Sequence, residues 1–179
     1  MLPVEVLITE HRLIIYAVDA LKKEQQKIVA SGKLDPNFIM TAVDFFRTYA
    51  DRYHHGKEEG ILFNALFNRK LSEADTAMMR DLIMEHASAR RTVTRLEGLK
   101  TGYIGGDEKT LGGILESLNT LIELYPRHIK KEDEHFFIQV MQYFTETEQQ
   151  EMLQKFLEYD QNFTDNRYKQ TIESLQKWL

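Results

Sequence analysis

Apolar residues recur along this chain at the spacing of a helix face. Val4, Leu7, Ile8, Ile14, Ile15, Val18 and Leu21, with His11 on the same stripe, predict a helix over residues 4–30. Ser31-Gly32-Lys33-Leu34 breaks it. Asp35-Pro36 then pairs an N-cap residue with proline at the first helical position, where the missing N–H is harmless. The second helix is expected to run to about Asn68. Ser72 offers the next cap, and a third helix spans about Glu73 to Lys100. Gly102, Gly105 and Gly106 mark a turn with Asp107 as a cap, and a fourth helix reaches about Phe144. Gly112-Gly113 and Pro126 predict a kink within it. Thr145-Glu146-Thr147-Glu148 fits a capping box and opens one or two further helices. Strand-like alternation is nearly absent. The pattern predicts an all-α fold: an up-down-up-down four-helix bundle over about 4–144, with a C-terminal helical addition over about 145–179.

Composition narrows the function classes. The 179 residues are 42% hydrophobic and 28% charged, an ordinary globular mix that fits a single domain over 1–179. The net charge is −5 and no Lys/Arg block occurs, which argues against nucleic acid as a partner. With no cysteine, disulfides, iron–sulfur clusters and thiol catalysis are excluded. Neither a signal-peptide pattern nor an apolar run of about 20 residues occurs, so a cytoplasmic protein without membrane contact is expected.

The two halves repeat each other. Ile8-Thr9-Glu10-His11 resembles Ile83-Met84-Glu85-His86, and Tyr53-His54-His55-Gly56-Lys57-Glu58-Glu59 resembles Arg127-His128-Ile129-Lys130-Lys131-Glu132-Asp133. Each half is a helix with Glu-His, a turn, and a helix with His-x-x-x-Glu. Residues four apart on a helix share one face, about 6 Å apart along the axis. His54 with Glu58, and His128 with Glu132, therefore converge in a bundle with His11 and His86. Imidazole and carboxylate without thiolate suit iron or manganese, with zinc chemically possible. One ion cannot use all six residues and keep an open position, whereas two ions bridged by both carboxylates can.

Other residues fit parts of the same pattern. His55 with Glu59 has the same spacing, so the second-helix register is ambiguous; the repeat favours His54 with Glu58, because His55 aligns with Ile129. Glu132-x-x-His135 occurs once, and His135 reads as a surface or packing residue. Glu10 and Glu85 diverge from their neighbouring histidines by about 100° and are assigned to the surface or to ligand support. Tyr16, Tyr53 and Tyr125 could line the site.

The pattern resembles the haemerythrin-like, His-His-Glu cation-binding family. The His-x-x-x-Glu-Glu-x-x-Leu-Phe run of residues 54–63 carries the match, and the resemblance spans about residues 4–144. It implies two non-haem iron ions, oxo- or hydroxo-bridged, held by His11, His54, Glu58, His86, His128 and Glu132. It further implies a diatomic ligand, oxygen or nitric oxide, for sensing, scavenging or storage. The alternatives are an enzyme reducing oxygen, peroxide or nitric oxide, and a protein of iron homeostasis or iron–sulfur cluster repair. An external electron donor would then be a partner. Oxygen-carrying members have a second histidine one turn from the third-helix ligand, where this chain has Leu82 and Arg90. On that comparison a fifth histidine is missing and both metals keep an open position.

Overall fold

The computed structural model describes residues 2–163 and 173–174. Helix α1 is Pro3–Ser31, and the second arm starts as α2, Pro36–Phe45. That arm continues as two π-helical segments, π1 (Phe46–His55) and π2 (Glu58–Phe63), and ends as α3, Asn64–Phe67. Then come α4 (Glu73–Ile104) and α5 (Thr110–Lys131). A third π segment, π3 (Glu132–Phe136), leads into α6, Phe137–Val140. Helix α7, Glu146–Asn162, follows a short 3₁₀ turn. Among the described residues the fold is all-α, a four-armed bundle with α7 added. The expectation of a second C-terminal helix falls largely on residues outside the described ones.

The ends of the arms follow local chemistry. Gly32 closes α1 with φ of 67°, a conformation that disfavours residues bearing a Cβ, and its N–H reaches the Ile28 carbonyl at 2.8 Å. Asp35 accepts from the Asn37 amide at 2.9 Å, and Ser72 from the Asp75 amide at 3.0 Å. Thr145 and Glu148 form the expected capping box. Asp107 caps the turn before α5, accepting from the Lys109 amide at 3.1 Å. Helix α5 runs without interruption through Gly112-Gly113 and Pro126, and the change of helical register comes later, at Glu132.

Buried apolar side chains form two clusters. One gathers Ile14, Val18, Leu21, Phe46, Val93, Leu118 and Tyr125 with their neighbours; the other gathers Val4, Leu7, Phe63, Leu82, Phe137 and Phe156 with theirs. On every arm the step from one cluster to the other crosses a buried histidine or glutamate. Polar groups at such depth need partners.

Candidate metal centre

The polar layer brings together all six residues singled out from the repeat. His11 comes from α1, His54 from π1, Glu58 from π2, His86 from α4, His128 from α5 and Glu132 from π3. All are buried. A seventh residue joins them. His55 is buried with His54, so the expectation that only one of the two adjacent histidines faces inward is corrected. That expectation assumed the 100° step of an α-helix. In π1 the i→i+5 bonding puts more residues in each turn, which brings adjacent side chains closer in direction.

The donors fall into two overlapping groups. His55, Glu58, His86 and His128 form one, and His11, His54, Glu58 and Glu132 the other; within each group the donor atoms lie within 4.8 Å of one another. Glu132 also reaches the first group, with its carboxylate 3.2 Å from His128 Nε2 and 3.8 Å from His86 Nε2. Two His/Glu clusters able to hold a metal ion thus share their carboxylates. His11 Nε2 approaches Glu132 at 3.3 Å, His54 Nε2 approaches Glu58 at 3.3 Å, and the Nε2 atoms of His86 and His128 are 3.0 Å apart. Adjacent donors around an octahedral ion with bonds near 2.1 Å lie about 3 Å apart.

Unpaired atoms support the same fit. His11 Nε2, His54 Nε2 and both carboxylate oxygens of Glu58 and Glu132 are buried without a hydrogen-bond partner. Orphaned polar atoms in an apolar interior are costly, and a cation among them removes that cost.

The other ring nitrogens are held from outside. His54 Nδ1 lies 2.9 Å from Glu10, His128 Nδ1 2.9 Å from Glu85, His11 Nδ1 2.7 Å from Asp133 and His86 Nδ1 2.6 Å from Glu59. The repeat extends to these supports, since Glu10 matches Glu85 and Glu59 matches Asp133. His55 Nδ1 is 3.4 Å from Asp51. Arg90 joins two supports, donating from Nε to Asp51 at 2.6 Å and from a terminal nitrogen to Glu59 at 2.8 Å. Each carboxylate fixes its ring so that Nε2 is free to face the centre. Phe63 lies parallel to His86 and Phe137 parallel to His11, at centroid distances of 6.0 and 5.7 Å.

Electrostatics favour positive charge here. Burial opposes protonation of His54, but Glu58 and Glu10 outweigh it and raise the pKa to about 10. His128 is likewise raised to about 10 against burial, by Glu132 and Glu85. His55 goes the other way: burial, then His86, His54 and His128, push it well below the usual imidazole range. It is a neutral imidazole at pH 7, the form that ligates a metal.

Other candidates separate from the centre. His135 is exposed on π3, as expected, and Tyr16 lies at the surface. Tyr125 is buried and lines, with His55, Asp51 and Arg90, a cavity of about 170 Å³ beside the centre. Leu82 packs in the second apolar cluster. The supports Asp51 and Asp133 and the buried Lys57 have no assigned role in the sequence reading, and Glu59, an alternative ligand there beside His55, instead holds His86 Nδ1. For Glu59 and Asp133 the repeat offset held the signal; for Asp51 there was only its i, i+4 spacing to His55.

Comparison with known proteins agrees with this geometry. A family model described as Hemerythrin HHE cation binding domain matches residues 2–140. Comparison with curated proteins and with solved structures gave no significant match.

Proposed function

Because the chain belongs to the hemerythrin HHE cation-binding family, whose model spans residues 2–140, we propose that it is a non-haem di-iron protein that binds a diatomic ligand, oxygen or nitric oxide, at one end of its centre. The observation that carries this reading is the position of His55 beside His86 and His128. One end of the centre is offered three imidazoles and the other, at His11 and His54, only two, while Glu58 and Glu132 serve both. The fifth imidazole that comparison with oxygen carriers looked for near His86 comes instead from the second arm. The richer end has less room for an outside ligand, so the ligand binds at the His11–His54 end.

Ferrous iron, when bound, supplies electrons and a free coordination position. The chain supplies the rest. Glu10, Glu59, Glu85 and Asp133 orient the rings, and the Phe63 and Phe137 faces keep water away and favour an uncharged diatomic molecule. Reversible binding needs no net electrons; where the ligand is reduced instead, an external protein returns them, because the chain has no cysteine to do so.

The test is anaerobic loading with ferrous iron, metal analysis, and titration with nitric oxide followed by electron paramagnetic resonance. Two irons and one nitric oxide per chain are expected. Two nitric oxides per chain would mean that both ends are open, and none would overturn the reading. Exposure to oxygen then separates storage from turnover: an absorbance change reversed under vacuum supports binding, and irreversible conversion to ferric protein supports an oxygen-reducing enzyme.

A further inference from the structure

Two lysines hold equivalent places in the two halves. Lys131 Nζ donates to Glu85 at 2.7 Å, and the other oxygen of Glu85 lies 2.9 Å from His128 Nδ1. In the first half Lys57 Nζ donates to Glu10, and the other oxygen of Glu10 lies 2.9 Å from His54 Nδ1. Their surroundings differ. Lys131 is partly exposed, and its second carboxylate, Asp81 at 2.5 Å, lies on α4 as Glu85 does. Lys57 is completely buried, with Nζ 3.8 Å from the Tyr53 ring centroid. Its second carboxylate is Asp160, at 2.7 Å, and Asp160 belongs to α7. The C-terminal helix thus reaches His54 through three side chains.

The packing of α7 is close at the same point. A Cβ on Gly56 would overlap the Tyr159 hydroxyl, which donates to the Arg52 carbonyl at 2.6 Å. The residues on either side of Gly56 are His55 and Lys57, so α7 docks on the segment that carries the centre.

Resting on the reading of the centre as a di-iron site, we propose that Lys57 is a positioning residue that couples docking of α7 to metal loading at the His11–His54 end. A buried ammonium needs its anionic partners. With α7 docked, Asp160 and Glu10 hold Lys57 between them, Glu10 is fixed, and His54 keeps its orientation. With α7 displaced, Lys57 gains access to water and Glu10 loses its anchor. A metal at His54 orders the same chain from the other end. Such coupling is reciprocal: the factor by which docking raises metal affinity equals the factor by which metal favours docking. Lys131 provides an internal control, because its carboxylates do not involve α7.

The experiment compares wild type with Asp160→Asn, Asp81→Asn and Lys57→Met, using ferrous iron added anaerobically. Hydrogen exchange of residues 146–162 and the affinity of each iron are measured. In wild type, loading slows exchange in α7 by about tenfold. In Asp160→Asn that protection disappears and the affinity of one of the two irons falls by a similar factor; in Asp81→Asn the protection remains. Lys57→Met behaves as Asp160→Asn, and should it fail to fold, the partly exposed Asp160 position still decides. A purely structural Asp160 would raise α7 exchange with and without iron alike and leave iron affinity unchanged, which would overturn the coupling while sparing the di-iron reading. A wild-type protein that bound no iron would overturn both.

Discussion

His55 lies face to face with His86, their ring centroids 3.7 Å apart and their planes 15° from parallel. The repeat places Ile129 opposite His55, so this ring has no counterpart in the other half. It makes one end of the centre richer in imidazole. His55→Leu should lower iron content to about one ion per chain, counted by elemental analysis after anaerobic loading, and should raise nitric oxide uptake per remaining iron. Two irons bound at wild-type affinity would remove His55 from the ligand set.

Glu58 belongs to both donor groups. Glu58→Ala should therefore disturb both ions together, leaving well under one iron per chain. Retention of one fully occupied ion would show that the carboxylate serves a single end.

Arg90 ties Asp51 to Glu59, and these two carboxylates hold His55 and His86. Arg90→Leu removes the tie without touching a donor atom. Affinity for the ion at that end should fall by about 10- to 100-fold, a usual effect of losing support behind a ligand. Competition with a calibrated chelator measures it, and Arg90→Lys should recover only part, since one ammonium cannot span both acids as a guanidinium does.

Proton binding gives a further test. In protein stripped of metal, burial disfavours charge on His54 and His128, yet their carboxylate neighbours raise both to about 10. In an unfolded chain a histidine titrates near about 6.5. The folded state holds these protons more tightly, so the stability they contribute is fully present below about pH 6.5 and is lost as pH rises through about 10. His55 has the opposite sign, and its contribution is lost as pH falls below about 6.5. Stripped protein should therefore be most stable near neutrality. Iron competes for the same nitrogens, and His11 and His86 are also shifted towards the charged form, so loading at pH 7 should release protons and affinity should rise from pH 7 towards 10. An indicator dye in weak buffer measures the release, and its absence would contradict the proposed ligation.

The bundle was legible in the sequence because its arms are long, strongly periodic and closed by recognisable caps such as Asp35, Ser72 and Thr145. Six inward-facing residues were legible because the chain says everything twice. What departs from the repeat was not. His55 turns inward through a π-helical stretch, and no residue preference marks such a register change in advance. Lys57 and Asp160 are 103 residues apart, and one belongs to a helix without a counterpart in the other half. The partners of Arg90 were not legible, because its two acids lie on another arm and only packing brings them near.

The separation of the apolar interior into two clusters bears on how the protein melts. Hydrophobic contact alone does not bind these halves into one thermal unit, because a band of imidazoles and carboxylates lies between them. Metal ions bridging that band would join all four arms at one level, and loaded protein should show a single calorimetric transition. Stripped of metal, the same band becomes a seam. The cluster around Phe63, Phe137 and Phe156 is the smaller, and its heat absorption should separate toward lower temperature from that of the cluster around Phe46 and Tyr125. The ions would then act as rivets in the scaffold as well as reactants, and metal supply would set whether the molecule unfolds in one step or two.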